Sequence, residues 1–172
     1  PVFSRAQIIK NTSSYTLRLY LKKTGAFYGW TASYNKSGEL VFEFLNPAKA
    51  TKANNKYGGR LDGITIAVDP GHGGSDPGAV GSVSNSALTE SNRSLLLAKM
   101  IKERLKSIGA TVVMTRTTDV SLTPDERILK VRNAKPNLAV SVHRNAATKA
   151  TAQGFSAHYF NPYTKLAADK IR

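Results

Sequence analysis

A chain of 172 residues, 41% of them apolar, can bury the core of one medium domain, or of a domain with a small module. No run of about 18 uninterrupted apolar residues occurs, which argues against a transmembrane helix; the lack of cysteine excludes a disulfide framework and thiolate metal ligands, leaving histidine and carboxylate. The net charge of +14 favours polyanionic partners, and nucleic acid, anionic lipid and the anionic bacterial wall all satisfy it.

The charge is uneven. Residues 1–60 carry ten Lys/Arg against two acids, and residues 61–172 carry fifteen against nine. The start at Pro1-Val2, with no basic-then-apolar leader, reads as a mature or excised piece whose export signal is already removed. Residues 1–45 read as a small β-rich module. Tyr15–Leu21 and Leu40–Leu45 are strand-like, with turn signals at Gly25, Gly29 and Asn35–Gly38. Asn46–Gly63 is polar and reads as a linker.

From Ile64 to the end the pattern becomes strand–helix alternation. It predicts an α/β domain with a mostly parallel, twisted sheet flanked by helices. Ile64–Val68 is the first strand. Asn92–Ile108 is a helix with Leu97, Ile101, Leu105 and Ile108 at helical spacing and Gly109 as its stop. Ala110–Met114 is the next strand. Thr123-Pro124-Asp125-Glu126 is a capping box with proline at the first helical position, opening a helix to about Asn133. Leu138–Val142 and Phe155–Phe160 are predicted strands, and Tyr163–Arg172 the first turns of a helix.

The chemistry gathers where strands end. Ile64–Val68 runs into Asp69-Pro70-Gly71-His72-Gly73-Gly74, and Leu138–Val142 runs into His143-Arg144-Asn145. In open α/β sheets, functional groups collect at the carboxyl ends of strands. His72 and His143, with Glu90 at the start of the long helix, form a candidate His₂Glu site for Zn²⁺ with an open fourth position. Asp69 is the expected outer partner that orients His72. A glycine-rich loop after a strand also suits phosphate, but no G-x-G-x-x-G frame and no G-K-[ST] occurs.

These residues resemble a known signature. Asp69-Pro70-Gly71-His72-Gly73-Gly74-Ser75-Asp76-Pro77-Gly78-Ala79 is similar to the opening motif of the zinc N-acetylmuramoyl-L-alanine amidases of type 3. Leu88-Thr89-Glu90, Gly109–Arg116 with Asp119, Ser141–Ala146 and Gly154-Phe155 follow in the family's order. The resemblance implies that His72, Glu90 and His143 bind Zn²⁺. It implies hydrolysis of the amide between N-acetylmuramic acid and L-alanine of peptidoglycan, by a secreted or wall-associated bacterial enzyme. Ser94 stands where the family usually has asparagine, and Arg144 where a small residue is common. The resemblance covers the earlier part of the family domain. It places a catalytic glutamate past Arg172, so no general base is assigned within residues 64–172, and the chain by itself is expected to hydrolyse wall poorly.

Other residues carry two readings each. His158 reads as structural or exposed. Arg116 and Arg127 could contact substrate carboxylates, or pair with Asp119 or Asp125, and structure is favoured. Glu103 reads as solvated and Glu126 as the capping-box partner. Phe27, Tyr28 and Trp30 could stack on sugar, but read first as the core of the β module. Anionic cell-wall polymers are the expected partners of the basic N-terminal part. The alternatives to an amidase are a non-catalytic zinc-containing wall-binding protein and a basic nucleic-acid binder. The second needs clustered Lys/Arg with interleaved aromatics, which only residues 15–30 approach, so no nucleic-acid partner is expected.

Overall fold

A computed structural model describes residues 2–23, 29–44, 60–81, 88–147, 151–160 and 162–171. The chain divides into two compact units, Pro1–Pro47 with Gln153–Arg172, and Ala48–Ala152.

The first unit holds two antiparallel hairpins. β1 (Phe3–Lys10) pairs with β2 (Tyr15–Leu21), and β3 (Trp30–Tyr34) with β4 (Leu40–Phe44). Alternation puts Tyr15, Leu17, Leu19 and Leu21 on one face of β2 and Thr16, Arg18 and Tyr20 on the other. The apolar face meets aromatic residues of the second hairpin. Phe3 and Phe44 pack edge-on at 4.7 Å, and a groove of about 470 Å³ is lined by Tyr15, Leu17, Trp30 and Phe42 among others. No residue of β1–β4 is fully buried, so Trp30, at 55% exposure, lines a groove and is not a core residue as the sequence suggested. Phe27, Tyr28 and Gly25 lie outside the described residues, as do Leu45 and most of the expected linker.

The second unit is α/β. β5 (Thr65–Pro70) is the central strand of a parallel sheet in the order β6-β5-β7, with β6 at Thr111–Met114 and β7 at Leu138–Val142. A central parallel strand is covered on both faces, which explains its unbroken apolar run. Ile66, Ala67 and Val68 are all buried. α1 (Glu90–Ser107) is the crossover from β5 to β6, and α2 (Pro124–Ala134) that from β6 to β7. Ile66, Val68, Ala98, Ala110 and Val142 form the core, with Ile101, Leu105, Val112 and Met114 against it. Burying a side chain such as Ile66 or Val68 is worth roughly 1.5–3 kcal/mol.

The helix ends follow the sequence signals. α1 begins at Glu90, two residues before the expected Asn92, because Thr89 caps it by accepting from the Asn92 N–H. Gly109 closes it at φ 98°, its N–H donating to the Lys106 carbonyl at 2.9 Å. The expected capping box is present in α2, with Thr123 and Glu126 bonded reciprocally. Leu61, within the stretch read as linker, packs on the core and donates its N–H to the Ile108 carbonyl at 2.7 Å.

One expected strand is absent. Phe155–Phe160 adopts no strand, and Phe155 and Phe160 are 63% and 99% exposed. A strand needs a neighbour for its N–H and C=O groups, and among the described residues this segment pairs with none. α3 (Pro162–Ile171) follows, as expected from Tyr163 onward. No described helix is long and apolar enough to cross a membrane.

Candidate metal centre

Strand register brings the two histidines together. β5 and β7 run parallel with Pro70 opposite Val142, and the Gly71 N–H donates to the Val142 carbonyl at 2.9 Å. Adjacent strands lie about 4.8 Å apart. The residues just past this register therefore emerge side by side, and the His72 and His143 rings stand 4.9 Å apart, edge to face.

Glu90 enters from the first turn of α1, where an acid is favoured by the helix dipole. Its Oε1 lies 3.2 Å from His72 Nε2 and 3.0 Å from His143 Nδ1. One ligand atom from each of the three residues lies within 4.8 Å of the others, so the group could hold a metal ion. Glu90 is 4% exposed, His72 partly buried and His143 half exposed, which leaves one side of the group open.

Glu90 is held as an anion. Burial opposes its charge, but N–H donors from Ala79 at 2.9 Å and Arg144 at 2.7 Å, with His143 and His72, keep its pKa below the usual carboxylate range. His72 has a left-handed backbone, φ 57°. Such a conformation is uncommon for a non-glycine residue and persists where its surroundings hold it.

Two glycines make room for the rings. A Cβ on Gly71 would stand 2.6 Å from both nitrogens of His143, and one on Gly78 2.6 Å from Cδ2 of His72. Only hydrogen can occupy those positions while the imidazoles stay where they are.

The outer partner of His72 is Asp76, not Asp69. Gly73 and Asp76 bond to each other across a tight turn, which brings the Asp76 carboxylate to 2.8 Å from His72 Nδ1. That bond and the Gly78 N–H hold the Asp76 pKa low. The five-residue run H-G-G-S-D, with its turn from Gly73 to Asp76, was the available signal. Asp69 faces the other way, accepting from Thr115, Ser141 and Arg127.

Residues 66–172 match the N-acetylmuramoyl-L-alanine amidase family, Amidase_3. The chain belongs to this family. It is 34% identical over 130 residues to N-acetylmuramoyl-L-alanine amidase LytC of Bacillus subtilis (strain 168), covering 73% of this chain and 25% of that protein. It is 33% identical over 143 residues to the probable cell wall amidase LytH of Staphylococcus aureus, covering 83% of this chain and 44% of the relative. The catalytic domain of CwlV, an N-acetylmuramoyl-L-alanine amidase from Bacillus (Paenibacillus) polymyxa var. colistinus, superposes with a TM-score of 0.57 at 31% identity over 62% of this chain and 59% of that one. The chain thus spans less than half the length of the two curated relatives.

In this amidase-family chain, Ser94 is buried and donates to the Gly71 carbonyl at 2.8 Å. Arg116 and Arg127 both point inward. Arg116 sits 3.9 Å from Asp119, and Arg127 pairs with Asp69 at 2.8 Å in place of the expected Asp125. Asp119 accepts from Ser91 and from the Gly74 N–H, tying the histidine loop to the start of α1. Sequence reading gave Asp119 no such role. His158 is exposed and bonds locally to Ser156.

Proposed function

We propose that the chain carries the zinc centre of a peptidoglycan amidase. His72, Glu90 and His143 would hold Zn²⁺, and the reaction is hydrolysis of the amide between N-acetylmuramic acid and L-alanine. The observation that carries this reading is the convergence of three ligand atoms at the ends of β5, β7 and the start of α1, inside the matched region. Zinc bonds of about 2.0–2.2 Å in a tetrahedron set ligand atoms about 3.3 Å apart. The Glu90 Oε1 distances of 3.2 and 3.0 Å fit that spacing.

When bound, the ion supplies Lewis acidity for an amide carbonyl and lowers the pKa of a water. The chain's own residues prepare for it. Asp76 fixes Nδ1 of His72 and turns Nε2 inward. Glu90 is the single anionic ligand, so the loaded site keeps net positive charge. The half-exposed side at His143 leaves room for substrate. Asp69 and Asp76 are already engaged, with Arg127 and His72 respectively, and neither is offered as the proton shuttle.

Peptidoglycan is the proposed substrate, and anionic wall polymers the proposed partners of residues 1–45. The relatives named as wall amidases and the basic excess of residues 1–60 support an extracytoplasmic, wall-associated place of action. Digestion of purified peptidoglycan by the zinc-loaded protein tests the bond assignment. New L-alanine amino ends without new reducing sugar ends are expected. The reverse pattern contradicts the reading.

A further inference from the structure

β5 ends at Pro70, and among the described residues β6 pairs with it only as far as Val68 opposite Met114, so the carbonyls of Pro70, Gly71 and His72 lie past that ladder. Buried carbonyls need donors. Two arginines supply them, and we propose that Arg116 and Arg127 are the positioning residues of the metal centre. The proposal rests on the metal-site reading given above.

Arg116 follows β6, and its side chain is wholly buried. Its Nε donates to the Pro70 carbonyl at 3.0 Å, and its Nη2 to the Gly71 carbonyl at 2.7 Å. The same Nη2 reaches the Ser91 carbonyl at 2.9 Å and Ser94 Oγ at 3.2 Å. Gly71 precedes His72, and Ser91 follows Glu90. One guanidinium nitrogen therefore spans the two segments that present these ligands. Gly71 also donates to Val142, the residue before His143, so a shift of Gly71 reaches the third ligand.

Arg127, in the first turns of α2, holds the other side. Its Nη1 donates to the Pro70 carbonyl at 2.7 Å and to Asp69 Oδ1 at 2.8 Å, and its Nη2 donates to the carbonyl of His72 itself at 2.6 Å. The pair thus fixes Pro70, Gly71 and His72 in sequence, including the residue with the left-handed backbone. Most donors of Arg116 go to peptide oxygens of the ligand segments, and its nearest carboxylate is at 3.9 Å. Arg127 also carries the Asp69 carboxylate on its fork, whereas the fork of Arg116 meets carbonyls. A lysine offers a single point of donation and cannot reproduce this pattern.

The test measures Zn²⁺ affinity by chelator competition, with far-UV circular dichroism and the melting of the metal-free protein in parallel. Groups that orient metal ligands typically affect affinity by about 10–100-fold. Arg116→Lys and Arg127→Lys should each weaken Zn²⁺ binding by about that factor at a temperature where both are folded. The visible spectrum of bound Co²⁺ should change shape. Thr123→Ala, on the same helix as Arg127, is the control: it should lower the melting temperature and leave affinity unchanged. If Arg116→Lys does not fold, Ser94→Ala removes a hydroxyl shared by Arg116 and Gly71, and several-fold weaker binding is expected. Wild-type affinity and an unchanged Co²⁺ spectrum in the folded variants would overturn the proposal, whatever their melting temperatures. A wild-type protein that takes up no Zn²⁺ would overturn the metal-site reading itself, and the proposal with it.

Discussion

The carboxylate of Asp76 stands 2.8 Å from Nδ1 of His72, and this leaves Nε2 of the same ring 3.2 Å from Glu90. The bond selects which nitrogen faces the centre. Asp76→Ala should weaken Zn²⁺ binding by about 10–100-fold, and Asp76→Asn by less, since an amide oxygen still accepts. Chelator competition gives the affinities. Asp76 is 63% exposed, so the melting temperature of the metal-free protein should change little. Equal affinity in Asp76→Ala and wild type would remove Asp76 from the site.

A single methyl group tests the packing of the second histidine. Gly71→Ala places a Cβ 2.6 Å from both nitrogens of His143. The His143 side chain is 50% exposed, so its ring can swing into solvent. Zn²⁺ uptake should fall by more than about tenfold, consistent with the loss of one ligand of three. Urea unfolding of the metal-free protein should shift by less than the roughly 1–3 kcal/mol typical of overpacked cores.

The elements of the second unit were legible because each carried a local signal. The Thr123–Glu126 capping box, Gly109 and the apolar run at β5 act within a few residues, and the structure follows them. The histidines were singled out by strand-end position, and Glu90 by its place at the start of the long helix. Asp76 was misread in favour of Asp69 because both flank His72 in sequence, and only the turn closed by Gly73 and Asp76 decides between them. Phe155–Phe160 looked like a strand by composition, but strand formation depends on a partner that local sequence does not specify. The inward course of Arg116 and Arg127 was equally invisible, since their partners in the Pro70–His72 segment are backbone carbonyls 45 to 57 positions away.

Acid should destabilise the second unit partly through Asp69. Burial opposes its charge, but Thr115, Arg127 and Ser141 outweigh that and lower its folded pKa. A lowered folded value gives stability that is complete above the ordinary aspartate pKa of about 3.9 and lost as pH falls through the folded one. Urea midpoints should therefore drop below about pH 4. Asp69→Asn should be less stable at pH 7, where Arg127 loses its carboxylate, and should show a shallower acid limb. An unchanged acid limb would assign that loss to other carboxylates.

The N-terminal hairpin presents basic residues on its outer face. Arg5 stacks over the Tyr20 ring at 4.1 Å, and Arg18 sits beside it and lowers the Tyr20 pKa. If residues 1–45 attach the protein to anionic wall polymers, deleting them should reduce pull-down on insoluble peptidoglycan, and added salt should weaken the intact protein's binding. Equal retention of both forms would rule out that role.

The zinc content of four purified proteins tests the central claim most directly. Wild type should carry one Zn²⁺ per chain by elemental analysis after desalting. His72→Ala, His143→Ala and Glu90→Ala should each lose most of it while keeping the far-UV circular dichroism of the wild type. A wild-type chain without zinc, or histidine variants that retain a full equivalent, would contradict the account.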